Sequence, residues 1–171
     1  MAKYPVVIFG ETHHRQMSWD FCRAMIEHPD FSTIIGTIFL ELPAHNQPRI
    51  EAFLANDTLN LELVYQCLRD SWDIGWPDQG ALDFIVAVWR VNQTLPEENR
   101  IRIVLADVPL PYDQMRTEED ARRYRRQDRD RFMADCVAEF LDARKPEDRH
   151  ALFIVGIGHT NLNARTAGFL V

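Results

Sequence analysis

Four short runs of apolar, β-favouring residues are separated by stretches long enough to hold helices, and this spacing constrains the fold more than any other feature. They are Val6-Val7-Ile8-Phe9, Thr37-Ile38-Phe39-Leu40-Glu41-Leu42, residues 101–106, and Leu152-Phe153-Ile154-Val155. A hairpin needs only a few linking residues, whereas parallel strands need a crossover of a dozen or more, usually helical. The order β, α, β, several α, β, α, β therefore predicts an α/β fold, a mainly parallel β-sheet with helices on both faces. In such sheets sites form at the carboxyl ends of the strands. Each of the four runs leads there to an ionisable group: Glu11 and His13, Glu41, Asp107, and His159.

The helices are read from their periodicity. Residues 15–28 place Met17, Phe21, Ala24 and Met25 at helical spacing before Pro29-Asp30 breaks the pattern. Asn46-Gln47-Pro48 opens a helix with Ile50, Phe53 and Leu54 on its buried stripe, the proline lying in a first turn where its missing N–H is harmless. Leu63, Val64, Cys67 and Leu68 mark another. Residues 79–93 carry Leu82, Ile85, Val86 and Trp89 on one face, widened by Phe84, Val88 and Val91. Thr117-Glu118-Glu119-Asp120 can cap a long helix running to about residue 143. Residues 4–9 are apolar throughout, the pattern of a strand buried on both faces.

A chain of 171 residues is most simply one domain. Its net charge of −7 leaves no cationic excess to hold a phosphate backbone, which argues against nucleic acid as a partner. Cys22, Cys67 and Cys136 lie far apart on apolar helical faces and read as buried free thiols. No apolar stretch approaches the ~18 residues of a membrane span. The first strand begins too early to leave room for a signal peptide, so the expected location is cytoplasmic unless a leader has been removed.

Two stretches repeat one pattern, Gly10-Glu11-Thr12-His13 and Gly156-Ile157-Gly158-His159. Each histidine could ligate a metal, act as a general base, or hydrogen-bond loop backbone. Glu41 needs a partner, because an unpaired carboxylate at the end of an apolar strand is costly. The inward face of the long helix, Phe132, Met133, Cys136, Val137, Phe140 and Leu141, extends back to Arg129, Asp128, Arg125 and Tyr124, and Arg129 is the best candidate partner. His13, His159 and Glu41 would suit Mn²⁺ or Zn²⁺, which would make hydroxide available near neutral pH. Without metal, a His–Glu pair can activate water and Arg129 can stabilise an oxyanion. Both routes lead to hydrolysis. His14, Asp107 and Trp76 are candidate substrate contacts, Asp107 reading first as a turn or capping residue, and Trp72 and Trp76 could wall a pocket. His28, His45 and His150 read as exposed.

The paired G-x-x-H motifs, the strand ending Phe39-Leu40-Glu41-Leu42-Pro43, and Arg129-Asp130-x-x-Met133-Ala134 together resemble the erythromycin esterase, ChaN-like and Tiki/TraB superfamily. The motifs occur in the expected order over nearly the whole chain. The resemblance implies an α/β fold with Glu11, His13, Glu41 and His159 gathered at one site. Activities in that group differ: macrolide ester hydrolysis, metal-dependent peptide cleavage, and haem binding by iron-regulated lipoproteins. The spacing of Gly10-Glu11-Thr12-His13 is that of the ChaN and Tiki branches. Relatives usually continue with further strands beyond the point matching Phe169-Leu170-Val171, which implies a compact or truncated version, or a homo-oligomer in which a partner chain completes the sheet. The leading expectation is a hydrolase of ester or amide bonds in a small molecule or peptide. The alternative is a binding protein for haem or an iron ligand. A dinucleotide-binding domain is disfavoured, since Gly156-x-Gly158 lacks the third glycine of that fingerprint.

Overall fold

The computed structural model describes residues 4–71, 78–145, 150–163 and 165–170, without the side chain of Arg125. Strands β1 (Val6–Glu11), β2 (Thr37–Pro43), β3 (Arg102–Asp107) and β4 (Ala151–Gly156) form one sheet in the order β1-β4-β2-β3, with every neighbouring pair parallel. The α/β architecture is the one the spacing of apolar runs predicts.

Helices α1 (Gln16–Ile26), α2 (Phe31–Ile34), α3 (Gln47–Ala55), α4 (Leu61–Arg69) and α5 (Gln79–Asn92) occupy the first two crossovers. Helices α6 (Glu118–Arg125) and α7 (Arg129–Asp142) precede β4, and α8 (Thr166–Phe169) follows it. The period of two along each strand divides the core. Ile38, Leu40, Ile103, Leu105, Leu152 and Ile154 join the cluster of α1, α3, α4 and α5. Phe39, Ala106, Phe153 and Val155 join Met133 and Val137 of α7 on the other face. Fully burying each large side chain contributes about 1.5–3 kcal/mol, so both layers hold the sheet between them.

Three sequence expectations are corrected. β1 is an edge strand with Val7 exposed and Val6, Ile8 and Phe9 half-buried, because β4 enters between β1 and β2 and leaves the outer edge of β1 unpaired among the described residues. The face that α1 buries is Trp19, Cys22 and Ile26, while Met17 and Phe21 are 81% and 52% exposed. Packing against α5 decides this. Gly80 has no side chain, so the Trp19 indole fits over it, where a Cβ would collide.

The long helix is two. Thr117 begins α6 with a capping box in which its hydroxyl accepts from Asp120 N–H and the Asp120 carboxylate accepts from Thr117 N–H. Helix α6 ends at Arg125, and Asp128, in extended conformation and exposed, starts α7 by accepting from Arg131 N–H at 3.1 Å. An aspartate that can bond its own backbone favours a cap over a helix interior. The restart turns Arg129 and Asp130 toward the sheet.

Candidate active site

The carboxyl edge is built from two halves that reach it from opposite faces of the sheet. The first half follows β1. Phe9 packs on the α1 side, its ring stacked on Phe21 at 5.3 Å, and Glu11 two residues on shares that face. Glu11 is 1% exposed, and its carboxylate faces His13 Nδ1. Burial pushes the Glu11 carboxyl up to about 7; His13 opposes this, and the charges of Glu41 and Asp78 add to it. His13 itself is 41% exposed at the side chain, and its Nε2 has no hydrogen bond among the described residues. Thr12, His13, His14 and Arg15 form a turn closed by Arg15 N–H donating to Thr12 C=O at 3.1 Å, with His14 at φ +60°.

The second half gathers at the ends of β2, β3 and β4. Arg129 donates through Nη2 to Glu41 Oε1 at 2.6 Å and to Asp107 Oδ2 at 2.6 Å, and through Nε to Asp107 Oδ1 at 3.0 Å. Asp107 Oδ1 also accepts from Val108 N–H at 2.8 Å, so the residue both turns the chain and holds the arginine. Gly156 N–H donates to Glu41 Oε2 at 2.7 Å. His159 stands between two carboxylates, with Nε2 3.3 Å from Glu41 Oε1 and Nδ1 2.7 Å from Asp130 Oδ1. Asp130 Oδ1 further accepts from the Thr166 N–H and hydroxyl, and Asp130 Oδ2 from Arg165 at 3.1 Å.

These contacts set the charges. Burial would raise the Glu41 pKa, but His159, Arg129 and the Gly156 N–H hold it below the usual carboxylate range. Burial pushes Asp107 up, opposed by Arg129. Burial would likewise raise Asp130, yet His159, Thr166 and Arg165 hold it at about 2. For His159 burial favours the neutral ring, and the hydrogen bonds to Glu41 and Asp130 outweigh it, raising the pKa to about 8. The cluster thus sets the carboxyl groups of Glu41, Asp107 and Asp130 against Arg129, His159 and Arg165. A balanced cluster of this kind is stable only while complete.

Gly156 is where the halves meet. A Cβ on it would lie 3.0 Å from His13 Cε1 and 3.1 Å from Glu41 Oε2, so only glycine leaves room for both groups. Several of the donors are committed to one another, His13 Nδ1 to Glu11, both ring nitrogens of His159 to carboxylates and both Glu41 oxygens to donors, while Glu11 Oε2 is buried without a partner among the described residues. Among the described residues no three of His, Cys, Asp and Glu form a metal-holding group. What the edge offers is a half-exposed imidazole oriented by a buried carboxylate, beside fixed positive charge.

Of the residues singled out in the sequence, Glu11, His13, Glu41, Asp107, Arg129 and His159 stand at this edge. His14 points to the same side, its Nδ1 3.9 Å from Asp78 Oδ2, while Trp72 and Trp76 lie outside the described residues. His45, expected to be exposed, is instead tied into the fold: its Nδ1 accepts from Leu110 N–H at 3.1 Å, its Nε2 lies 3.3 Å from Asp70, and burial lowers its pKa. His28 is exposed and His150 half-buried. Sequence reasoning missed Asp130 as a partner of His159, and Asp78, which caps α5 by accepting from Ala81 N–H at 2.8 Å. The adjacency Arg129-Asp130 was visible. That both face inward follows from the restart at Asp128, which periodicity does not reveal. Cys22 and Cys67 are buried, Cys136 is half-buried, and none is paired. Burial raises their thiol pKa values to about 12, 12 and 11, so they are unsuited to act as nucleophiles.

No protein-family model matches this chain, and no curated protein does. Among solved structures, one described as "Bacterial protein toxins" superimposes with a TM-score of 0.56 at 18% sequence identity. The match covers 93% of this chain and 29% of that one, so the chain spans under a third of the length of the structure it resembles. At that identity the likeness is one of fold.

Proposed function

We propose that this chain is a hydrolase of ester or amide bonds, of the general kind that its resemblance to the erythromycin esterase, ChaN-like and Tiki/TraB group implies. The observation that carries the reading is the Glu11–His13 pair. A buried carboxylate against Nδ1 fixes the tautomer that leaves Nε2 as acceptor, and Nε2 has no other hydrogen-bond partner among the described residues on a side chain that is 41% exposed. In this reading His13 Nε2 takes a proton from water as the water attacks the carbonyl carbon. Glu11 stabilises the imidazolium formed. His159 and Arg129, held charged by Glu41, Asp107 and Asp130, lower the energy of the developing oxyanion through their field. His13 then returns the proton to the leaving alkoxide or amine. The substrate is a small molecule or peptide. Unpaired cysteines suit a reducing, cytoplasmic setting, no helix among the described residues is long and apolar enough to cross a membrane, and the open edge of β1 could accept a partner chain.

The test is turnover of a panel of p-nitrophenyl esters and anilides by the purified chain and by His13→Ala. Loss of a general base costs typically 10²–10⁴-fold in rate, and far-UV circular dichroism checks that His13→Ala, which takes from Glu11 its imidazole partner, remains folded. Equal rates in the two proteins, or no turnover above buffer across the panel, would overturn the reading. The pH profile of kcat/KM should be bell-shaped. It rises as Glu11 loses its proton near about 7 and falls as His159 loses its charge near about 8.

A further inference from the structure

At the opposite, amino-terminal edge of the sheet, the start of β2, the start of β3 and the end of α7 enclose a recess of about 380 Å³ walled by Arg100, Arg102, Arg144 and His150. A neighbouring hollow of about 620 Å³ shares the same three arginines; Leu54, Ile103 and Phe140 form its apolar wall, and Glu51 and Glu97 also line it. A polar basin and an apolar one thus meet along a line of guanidinium groups. In a chain of net charge −7 such a concentration of cations is unexpected. Arg100 and Arg102 have no ion pair among the described residues, although Glu98 lines the first hollow and Glu97 the second. Arg100 Nε is buried without an acceptor among the described residues. The Arg144 guanidinium lies over the Phe140 ring at 3.9 Å from its centroid, which orients it along the seam between the hollows.

Arg100 and Arg102 make no ion pair among the described residues, so the neighbouring guanidinium groups repel one another, and an anion between them removes that repulsion while satisfying their donors. The apolar wall on one side specifies the rest of the ligand. We propose that this edge is a binding site for a small amphiphilic anion, with a phosphate or carboxylate head on Arg100, Arg102 and Arg144 and a short apolar body along Leu54, Ile103 and Phe140. It lies a strand length, about 20 Å, from Glu11 and Glu41, and it is independent of the catalytic reading.

The test is calorimetric titration of the full chain with octyl phosphate, octanoate, inorganic phosphate and octanol. The site predicts saturable one-to-one binding of octyl phosphate or octanoate, at least about tenfold tighter than either inorganic phosphate or octanol alone, since each supplies only half of the complement. The stronger of the two amphiphiles identifies the head group. Arg102→Glu, on an exposed side chain that the fold does not need, should weaken binding by about tenfold or more, Arg100→Gln should do the same, and His13→Ala should bind as the wild type does. Far-UV circular dichroism confirms that each variant is folded. Absence of saturable binding at millimolar ligand, affinity unchanged in Arg102→Glu and Arg100→Gln, or binding lost in His13→Ala would each overturn the proposal.

Discussion

The same G-x-x-H pattern closes β1 and β4, and the two histidines it delivers are held in opposite ways. His13 is 41% exposed, touches one carboxylate and sits in a turn with left-handed backbone at His14. His159 is 17% exposed, bridges Glu41 and Asp130, and is followed by a segment whose Thr166 and Arg165 lock Asp130 in turn. Position in the sheet explains the difference. β1 is an edge strand whose loop leaves toward solvent, whereas β4 lies between β1 and β2, and its loop is roofed by α7 and α8. An edge strand thus suits a group that must meet substrate, and a central strand suits a charge that must stay in place. A motif repeated in sequence need not be repeated in role.

The comparison breaks most sharply if the fixed half is opened. Glu41→Gln removes the carboxylate that Arg129, His159 and Gly156 share, leaving two partly buried cations with less compensation. Breaking a buried pair from one side costs several kcal/mol; because Arg129 keeps Asp107, we expect about 3 kcal/mol, read from urea unfolding at pH 7. A change under 1 kcal/mol would mean that the cluster is hydrated and that the contrast with the His13 half is overstated.

Titration sharpens the contrast further. Glu11 has its pKa raised from 4.5 to about 7, and His159 from 6.5 to about 8. Both groups bind their proton more tightly when folded, so both make stability fall as pH rises, Glu11 across the window 4.5 to about 7 and His159 across 6.5 to about 8. The causes are opposite. Burial penalises the Glu11 charge, and partners favour the His159 charge. Glu11→Gln should therefore stabilise the protein at pH 8, by on the order of 2–3 kcal/mol, and have little effect at pH 4.5. His159→Gln should destabilise it at pH 6 by about 2 kcal/mol or more and less at pH 9. Unfolding free energies of the three proteins at these pH values check both signs, and a stabilising His159→Gln at pH 6 would contradict the assignment of that ring as a held cation.

How much of this could be read from the chain depends on what each feature needed. The parallel α/β layout and α3, α4 and α5 followed from local patterns, since strand runs, a first-turn proline and wide apolar faces are visible within a single element. The Glu41–Arg129 pairing was legible for a similar reason: a carboxylate ending an apolar strand and an arginine continuing an apolar helical stripe each require a partner. The buried face of α1 was not legible, because Met17 and Phe21 fit helical spacing as well as Trp19 and Cys22 do, and the choice rests on Gly80, more than fifty residues away in the chain. Nor was the break before α7, where no glycine or proline intervenes and an aspartate cap decides. Asp130 was hidden with it.

The smallest effect tests whether the turn bearing His13 is strained and the matching turn is not. His14 adopts φ +60°, a region in which a side chain costs about 1–2 kcal/mol and glycine costs nothing. His14→Gly relieves that strain, but the added freedom of glycine in the unfolded chain offsets part of the gain, leaving a net stabilisation of about 0.5 kcal/mol. Thr160, the residue after His159, has no such strain; it closes the 3₁₀ turn Ile157–Thr160, its hydroxyl donating to Ile157 C=O at 2.7 Å. Thr160→Gly gains nothing in the folded state, loses that hydrogen bond, and should cost about 1 kcal/mol or more. Thermal unfolding of the pair separates the cases. If both substitutions destabilise, the His14 conformation carries little strain and the two loops differ only in burial. If His14→Gly stabilises while turnover of the ester panel falls, the strained turn holds His13 at the angle its chemistry needs, and the edge strand contributes geometry as well as access.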